Sequence, residues 1–375
     1  MSRTLLMITP SAYAEIKAKG TDWMFQDREE GGYFHRVVTL HHNTKKRRVI
    51  RISGHGIIIE TGGRSKITRL INAIVAGLYI CSRYDAVIVR STDPFKSGLI
   101  GWIVSWLSRN PFCISIHSDY QQDFEIWGRK APRLWKWVPG KLMRFLLLRA
   151  DMVMAISESL REYAVKNGAK RKSVRVIPHG VDARVFLQAT TDADLRKRFG
   201  GRVAVAVVTR FAPDQYLTDL VELSDRMHSD NVVFVVSGDD SRCGTLANLD
   251  NVILLGHLDR TDVAGMLASC DIGLCFTAGL RTVEMALAGL PIVAYDLDWN
   301  REVVGNGVCG VLAEEHDVAR LADLIRWLVS NPVSAKKLGD NGRKFASRHY
   351  SVEQTRQIKI ECYEELIGMT GRPRA

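Results

Sequence analysis

One stretch constrains the fold more than any other, because it reads as strand, turn, helix and strand in succession. It runs from Asp271 to Asp296 as DIGLCFTAGLRTVEMALAGLPIVAYD. Residues 272–276 are a short apolar run, 280–288 carry helix formers, and 292–295 are apolar again. Gly289 stands just after the helical run, where a left-handed glycine ends many helices. The order predicts one strand–helix–strand unit.

The turn before the helical run has the character of an anion site. Thr277, Ala278 and Gly279 are small, and a helix that starts after such a turn points free backbone N–H groups outward. A diphosphate suits that position. Glu284 lies about one turn further in, where a carboxylate could accept two ribose hydroxyls. Taken alone, Glu284 is equally well explained as a favourable acid near a helix start.

Length, cysteine usage and hydropathy place the chain among cytosolic globular proteins. A chain of 375 residues can form two domains, each with its own core. The longest uncharged apolar stretches, 70–82 and 97–108, are shorter than the roughly 20 residues that span a bilayer, and no export signal is recognised. The seven cysteines include no CxxC pair, so neither disulfides nor zinc are expected.

The positive charge is concentrated in the first half of the chain. Residues 1–180 hold 30 Lys and Arg against 14 Asp and Glu, a net of +16, whereas 181–375 hold 22 against 27, a net of −5. The first half is therefore expected to meet an anionic partner. A membrane surface, a phosphorylated acceptor and a nucleic acid all fit that description.

Strands and helices are predicted to alternate along the whole chain, which is typical of doubly wound parallel sheets. Asp93-Pro94 is predicted to open the helix that ends at 108. The predicted strands are 5–9, 33–41, 48–52, 86–90, 112–116, 174–177, 203–209, 232–237 and 251–255, and the other predicted helices are 66–82, 262–269, 319–329 and 352–367.

His117 follows the predicted strand 112–116 directly, at its carboxyl end. Parallel sheets place their ligands at that end of the strands. Asp119 and Tyr120 share the loop with His117. A ligand contact and a plain loop hydrogen bond explain the histidine equally well on physical grounds.

The segment 127–149 interleaves three Trp with seven Lys or Arg. This mixture suits a membrane interface, where indoles sit at headgroup depth and cations meet anionic lipids. It also suits single-stranded nucleic acid, the least favoured of the three explanations. The third is a surface helix that packs on the sheet through Leu142, Phe145, Leu146 and Leu148.

The segment 150–186, ADMVMAISESLREYAVKNGAKRKSVRVIPHGVDARVF, contains a strand, a helix capped by Ser157, a second strand and the turn IPHGVD. It resembles the interdomain junction of glycosyltransferase family 4. The resemblance covers 150–367 well, 86–120 in part and the first 80 residues loosely. It implies an α/β protein of the GT-B fold, with two Rossmann-like doubly wound domains facing across a cleft. The implied parts are an acceptor-binding domain 1–180, a nucleotide-sugar-binding domain 181–350 and a C-terminal helix, 351–375, that crosses back to the first domain.

The resemblance also assigns roles to individual residues. It makes Arg210 the cation that meets the donor diphosphate, and Glu284 the ribose ligand. His117 would face the donor sugar, and backbone N–H groups of Gly279 and Leu280 would reach the diphosphate or sugar. The other residues expected in the site are Gly238 on the donor side, and Asp119, Tyr120 and His179 in the cleft or acceptor region, with Glu302 as a further cleft residue.

Two positions depart from the family pattern. Gln215 stands where the family carries a lysine about five residues after its arginine, so one cation at the leaving group is missing. Phe276 stands where the first of two glutamates eight residues apart would fall, unless a loop deletion has shifted the register. This departure puts the sugar-binding part of the site in doubt. We hypothesise that Arg281 supplies the missing cation, because it starts the helix that carries Glu284.

The activity implied by the resemblance is transfer of a sugar with retention of configuration, without metal or cofactor, from a UDP- or GDP-linked donor. Asp296-Leu297-Asp298 has the spacing of a metal-binding DxD but follows a predicted core strand. The expected acceptor is a saccharide or lipid-linked saccharide in cell-surface glycan synthesis. The expected location is the inner face of the cytoplasmic membrane. A nucleic-acid partner is not expected. The alternatives are a catalytically weak or non-enzymatic relative, and a sugar-nucleotide epimerase or hydrolase.

Overall fold

A computed structural model of the chain describes residues 2–18, 30–120, 133–209, 214–238, 243–305 and 307–369. The chain divides into two compact units. The first unit comprises Met1–Pro178 together with Arg356–Ala375, and the second comprises His179–Thr355. Each unit is built on its own mainly parallel sheet, so the alternation of strands and helices predicted from the sequence is confirmed.

The first unit contains an eight-stranded sheet in the order β3-β4-β2-β1-β5-β6-β7-β8. Its neighbouring strands are parallel, except that β3 is antiparallel to β4 at the edge. Its strands are β1 (Thr4–Thr9), β2 (Arg36–His41), β3 (Arg47–Arg51), β4 (Gly56–Thr61), β5 (Val87–Ser91), β6 (Phe112–Ile116), β7 (Met152–Ala155) and β8 (Val174–Val176), and its first helices are α1 (Tyr13–Ala18), α2 (Lys66–Arg83), α3 (Lys96–Ser108), α4 (Arg133–Arg149) and α5 (Glu158–Lys166).

Helices cover both faces of this sheet. On one face α2, α3 and α4 bury Ala73, Val104 and Leu146 against the strands. On the other face lies the C-terminal helix, whose Tyr363 packs edge-to-face on Phe34 with ring centroids 4.8 Å apart. The Tyr363 hydroxyl accepts a hydrogen bond from the guanidinium of Arg90 on β5, at 2.5 Å. The last helix is therefore fixed to the first sheet by both apolar and polar contacts.

The second unit contains a six-stranded, fully parallel sheet in the order β11-β10-β9-β12-β13-β14. Its strands are β9 (Val203–Val208), β10 (Val232–Ser237), β11 (Val252–Leu254), β12 (Ile272–Cys275), β13 (Ile292–Tyr295) and β14 (Gly310–Ala313). The helices are α6 (Ala183–Leu187), α7 (Ala193–Arg198), α8 (Gln215–Arg226), α9 (Arg260–Ser269), α10 (Leu280–Ala288), α11 (Asp298–Val304), α12 (Val318–Ser330), α13 (Pro332–His349) and α14 (Val352–Ile367), of which the last continues into the first unit from Arg356.

Helix α10 is deeply packed beyond its first two residues, with residues 282–288 all buried. Three glycines allow the close approach. A Cβ on Gly339 of α13 would lie 2.1 Å from the carbonyl oxygen of Gly289, and one on Gly273 of β12 would lie 2.8 Å from the sulfur of Met285. Gly289 ends α10 in the left-handed conformation, as expected from the sequence.

The structure corrects three details of the sequence analysis. Residues 56–61 were assigned no element and form β4, which pairs in parallel with β2 and buries Ile58, while Ile57 and Ile59 are partly buried. Helix α3 starts at Lys96 rather than at Pro94, because the Asp93 carboxylate accepts the N–H of Phe95 and ends the preceding turn there. Within α4 the buried side chains are Met143, Leu146 and Leu147, whereas Phe145 and Leu148 are partly exposed.

The segment 127–149 lies only partly within the described residues. Residues 127–132 lie outside them, and side chains are described from Gly140 onward. Across the described helices, none is both long enough and apolar enough to cross a membrane.

Gly339 gives a direct test of the close packing that holds α10. Replacement of Gly339 by alanine should lower the free energy of unfolding by about 2 kcal/mol or more, because backbone rather than a side chain occupies the Cβ position. Gly265→Ala is the matched control, since it also lies within a helix but meets nothing within 4 Å. It should be neutral or stabilise by up to about 1 kcal/mol. Urea unfolding of both variants measures the difference; equal stabilities would contradict the packing.

Candidate active site

The start of α10 is open at the carboxyl end of β12. Gly279 is the N-cap residue, with φ 158° and ψ −166°, a conformation that glycine adopts far more readily than other residues. No side chain caps this end of the helix. A Cβ on Gly279 would meet nothing within 4 Å, so the position needs glycine for its backbone angles rather than for space. An uncapped helix start with room in front of it suits an anion.

Glu284 and Arg281 form an ion pair on the first two turns of this helix. The Nη1 of Arg281 lies 2.5 Å from Oε2 of Glu284. The glutamate side chain is 7% exposed, whereas the arginine is 48% exposed. A buried carboxylate needs such a partner, because leaving it unpaired in the interior costs several kcal/mol. The predicted ribose ligand and the predicted replacement cation are therefore in direct contact.

Buried hydrogen bonds fix the position of this helix start relative to the next strand. Thr282 donates to Oδ1 of Asn300 at 2.6 Å, and Nδ2 of Asn300 donates to the carbonyl of Tyr295 at 3.1 Å. Both side chains are fully buried. The chain of bonds ties α10 to the end of β13, so Glu284 is held on a rigid element.

Phe276, one of the two departures from the family pattern, lies in an aromatic group. Phe276, at the end of β12, is 2% exposed and stacks on Tyr216, the residue after Gln215, with ring centroids 6.2 Å apart. Tyr295 lies 5.6 Å from Phe276 and closes the group. Phe276 thus forms part of the core, which accounts for the absence of an acid there.

A buried carboxylate completes this group. Oδ2 of Asp219 accepts a hydrogen bond from the hydroxyl of Tyr295 at 2.8 Å and lies 2.7 Å from Nδ1 of His316. Burial, together with the hydrogen bond to Asp219, raises the pKa of Tyr295 and keeps the phenol protonated. His316 has a φ of +66°, which is uncommon for a residue other than glycine. Sequence analysis missed this network because its members are far apart in the chain.

The remaining donor-side residues are distributed around the same sheet edge. Gln215 is the exposed first residue of α8 and follows β9, the neighbour of β12. Gly238 follows β10, and its N–H donates to the carbonyl of Gly256 at 3.0 Å. Leu280 is 37% exposed at the start of α10. Arg210 lies outside the described residues.

The residues predicted for the cleft or acceptor region lie on two loops and on α11. His117, Asp119 and Tyr120 are half-buried after β6, and Tyr120 packs edge-to-face on Phe95 at 5.1 Å. His179 belongs to the second unit, 6.4 Å from the indole of Trp299. Glu302 is half-buried on α11. Within the described part of the chain, no group of three or more His, Cys, Asp or Glu could hold a metal ion.

A group that sequence analysis missed lies at the carboxyl edge of the first sheet. His42 follows β2, is 1% exposed, and its Nε2 lies 2.9 Å from the hydroxyl of Ser97 in the first turn of α3. Burial, together with the charges of Lys96 and Arg69, lowers the pKa of His42 to about 4. The signal was available, because His42 follows the predicted strand 33–41 just as His117 follows the predicted strand 112–116.

Two family models match the chain, one in each unit. The model described as "Glycosyltransferase Family 4" matches residues 29–185, and the model described as "Glycosyl transferases group 1" matches residues 192–345. Among characterised proteins, a 2-deoxystreptamine glucosyltransferase from Streptomyces kanamyceticus is 22% identical over 81% of this chain and 86% of its own length. An N-acetyl-alpha-D-glucosaminyl L-malate synthase from Bacillus anthracis is 24% identical over 61% of this chain and 62% of its own.

Solved structures share the fold over nearly the whole chain. Anabaena HepE in complex with UDP superposes with a TM-score of 0.74 at 18% identity, and covers 97% of this chain and 100% of its own. A sucrose-phosphate synthase from Thermosynechococcus elongatus has a TM-score of 0.75 at 17% identity, with 98% and 99% covered. A glycosyltransferase from Rickettsia africae has a TM-score of 0.76 at 16% identity, also with 98% and 99% covered.

The buried His42 predicts a loss of stability in acid. Since its folded pKa of about 4 lies below the usual 6.5, the unfolded chain binds more protons between these values. The free energy of unfolding should therefore fall by up to about 3 kcal/mol from this group as the pH drops from 7 to 4. Denaturant unfolding of His42→Gln against pH should show a flatter acid limb. The exposed His228→Gln is the control, and parallel curves for His42→Gln and wild type would contradict the assignment.

Proposed function

We propose that the chain transfers a sugar from a nucleotide-sugar to a saccharide or lipid-linked saccharide in cell-surface glycan synthesis. The basis of this proposal is that the chain belongs to the glycosyltransferases of family 4 and the GT-B fold. The observation that carries the donor part of the proposal is the Arg281–Glu284 pair behind the uncapped start of α10. Helix N–H groups and a cation would hold the diphosphate, while the carboxylate would accept ribose hydroxyls.

The donor is proposed to be UDP- or GDP-linked. In support, Anabaena HepE has been crystallised with UDP, with UDP and glucose, and with UDP-glucose. Arg210, Gly238, Gly279 and Leu280 complete the proposed donor side. Because Gln215 is uncharged, Arg281 is proposed to neutralise one negative charge of the diphosphate in its place.

The proposed reaction retains the anomeric configuration and needs no metal. Bond cleavage between sugar and phosphate places negative charge on the departing diphosphate, so fixed positive groups stabilise the transition state. The departing phosphate takes the proton of the acceptor hydroxyl, which removes the need for a strong protein base. His117 is proposed to face the donor sugar, with Asp119, Tyr120 and His179 in the cleft or acceptor region.

The acceptor is proposed to bind the basic first half of the chain at the inner face of the cytoplasmic membrane. The charge of +16 in residues 1–180 supports an anionic partner. The Trp, Lys and Arg of 127–149 support contact with anionic lipid. The alternatives, a non-enzymatic relative and a sugar-nucleotide epimerase or hydrolase, are disfavoured, because relatives in several organisms are named as glycosyltransferases and synthases.

The first test of the proposed function is thermal unfolding with UDP, GDP, ADP or CMP, each with and without Mg²⁺. One nucleotide at about 100 times its dissociation constant should add about 2.7 kcal/mol of stability, with or without Mg²⁺. Glu284→Gln and Arg281→Gln should each weaken binding of that nucleotide by about 1.5–3 kcal/mol, because each removes a hydrogen bond to a charged group.

Glu222→Gln is the matched control, because this glutamate also forms a helix ion pair, with Arg226, but is 47% exposed. It should bind the nucleotide as the wild type does. A shift that needed Mg²⁺, or one that survived both Glu284→Gln and Arg281→Gln, would contradict the proposed donor site. A lack of response to all four nucleotides would favour the non-enzymatic relative.

A further inference from the structure

Among the described residues of the first unit, the large exposed apolar side chains are gathered on one side of its sheet. Helix α2 carries four of them at intervals of four residues: Ile67 (69% exposed), Ile71 (52%), Val75 (60%) and Tyr79 (66%). A helix that packs on a sheet normally turns polar residues to solvent. Here the solvent side of α2 is apolar over more than three turns, while Ala73 and Ile80 on its opposite side are buried in the core.

The neighbouring helix extends this apolar row. Helices α2 and α3 both run antiparallel to the parallel strands that they connect, and they touch where Gly77 meets Val104. Tyr79 and Trp106 each lie two residues C-terminal to that contact. Because the two helices run in the same direction, these side chains are at the same level along the helix axes. Trp106 is 59% exposed and stacks on Trp102, with ring centroids 6.3 Å apart. Leu107, beside it, is 52% exposed.

The edge strand β3 continues the surface on the same face of the sheet. Val49, 63% exposed, stands directly opposite Ile59 of β4, and Ile59 packs in the core beneath α2. Side chains directly opposite each other in a strand pair point to one face. Val49 therefore points to the α2 side, and so do Arg47 and Arg51, two residues away on either side and both exposed.

This surface is strongly basic and has almost no acid. Helices α2 and α3 and strand β3 contain seven Lys or Arg and no Asp or Glu. The segment 31–84 contains ten Lys or Arg and a single acid, Glu60, which is buried. A row of aliphatic and aromatic side chains flanked by cations fits the interface of an anionic bilayer.

We propose that α2, the exposed end of α3 and the outer face of β3 form a docking face for anionic lipid. The apolar row would enter the level of the headgroups, and Arg47 and Arg51 would contact lipid phosphates. The charge favours a bilayer over a second copy of the chain, since symmetric pairing would bring like charges face to face. This docking face deepens the proposed membrane association. It requires neither segment 127–149 nor the transfer reaction.

Vesicle sedimentation of the full chain tests the docking face. The wild type should bind mixed phosphatidylglycerol–phosphatidylcholine vesicles more tightly than pure phosphatidylcholine vesicles. Ile71→Ser/Val75→Ser should weaken binding to the anionic vesicles about tenfold or more, because two apolar side chains no longer leave water. Arg47→Gln/Arg51→Gln should weaken binding to the anionic vesicles at low salt. At about 300 mM salt, where charges are screened, this variant should differ much less from the wild type.

Val333→Ser is the matched control, because Val333 is a single exposed valine of the second unit, 84% exposed. It should bind vesicles as the wild type does. All variants should keep the nucleotide-dependent thermal shift, so that a failure of the docking face can be told from a failure of the proposed donor site. A second double variant, Lys130→Gln/Lys136→Gln, changes segment 127–149 instead of the docking face. The proposal is overturned if Ile71→Ser/Val75→Ser binds the anionic vesicles normally while Lys130→Gln/Lys136→Gln does not. It is also overturned if the wild type ignores anionic lipid, or if the serine variant only converts a dimer to a monomer.

Discussion

The burial of α10 beyond its first two residues is the constraint on which the candidate site depends. Its residues from Thr282 to Ala288 are shielded by the sheet and by α13, where Gly339 leaves room for the backbone of Gly289 and Gly273 leaves room for the side chain of Met285. A helix buried in this way can offer a ligand only its N-terminal end. The same packing that forms the core therefore fixes the direction of the open N–H groups and the depth of Glu284.

Under the proposed function, donor binding changes the partners of the Glu284 and Arg281 side chains. In the absence of donor, the buried Glu284 carboxylate is paired with Arg281, because an unpaired charge at that depth would be costly. A ribose that donates two hydroxyls to Glu284 satisfies the carboxylate in another way. Arg281, half exposed, is then free to turn toward the diphosphate. Under the proposed function, one arginine neutralises the carboxylate before binding and the phosphate after it.

The sequence predicted the fold well where local patterns carry the information. The run 271–296 was assigned to within one residue, because apolar strands, a helix and a terminal glycine each leave a local signal. Strand β4 was missed, since four consecutive apolar residues in 56–61 show no alternation. The contact of Arg281 with Glu284 follows from helical spacing, whereas the meeting of Tyr216 with Phe276 depends on the order of strands, which no local pattern reveals.

The aromatic group accounts for the apolar residue at position 276, one of the two departures from the family pattern. Phe276 is 2% exposed between the rings of Tyr216 and Tyr295, so a carboxylate at 276 would have to be buried among aromatic rings. Asp219 is already a buried acid in this region, and its carboxylate contacts Tyr295 and His316. A second acid next to them would repel the first and lack a cation. Under the proposed function, the packing of this edge of the sheet accounts for the missing glutamate. The groups that recognise the donor sugar are then proposed to come from other loops at the carboxyl ends of the strands, while the nucleotide end of the site uses α10, Glu284 and Arg281.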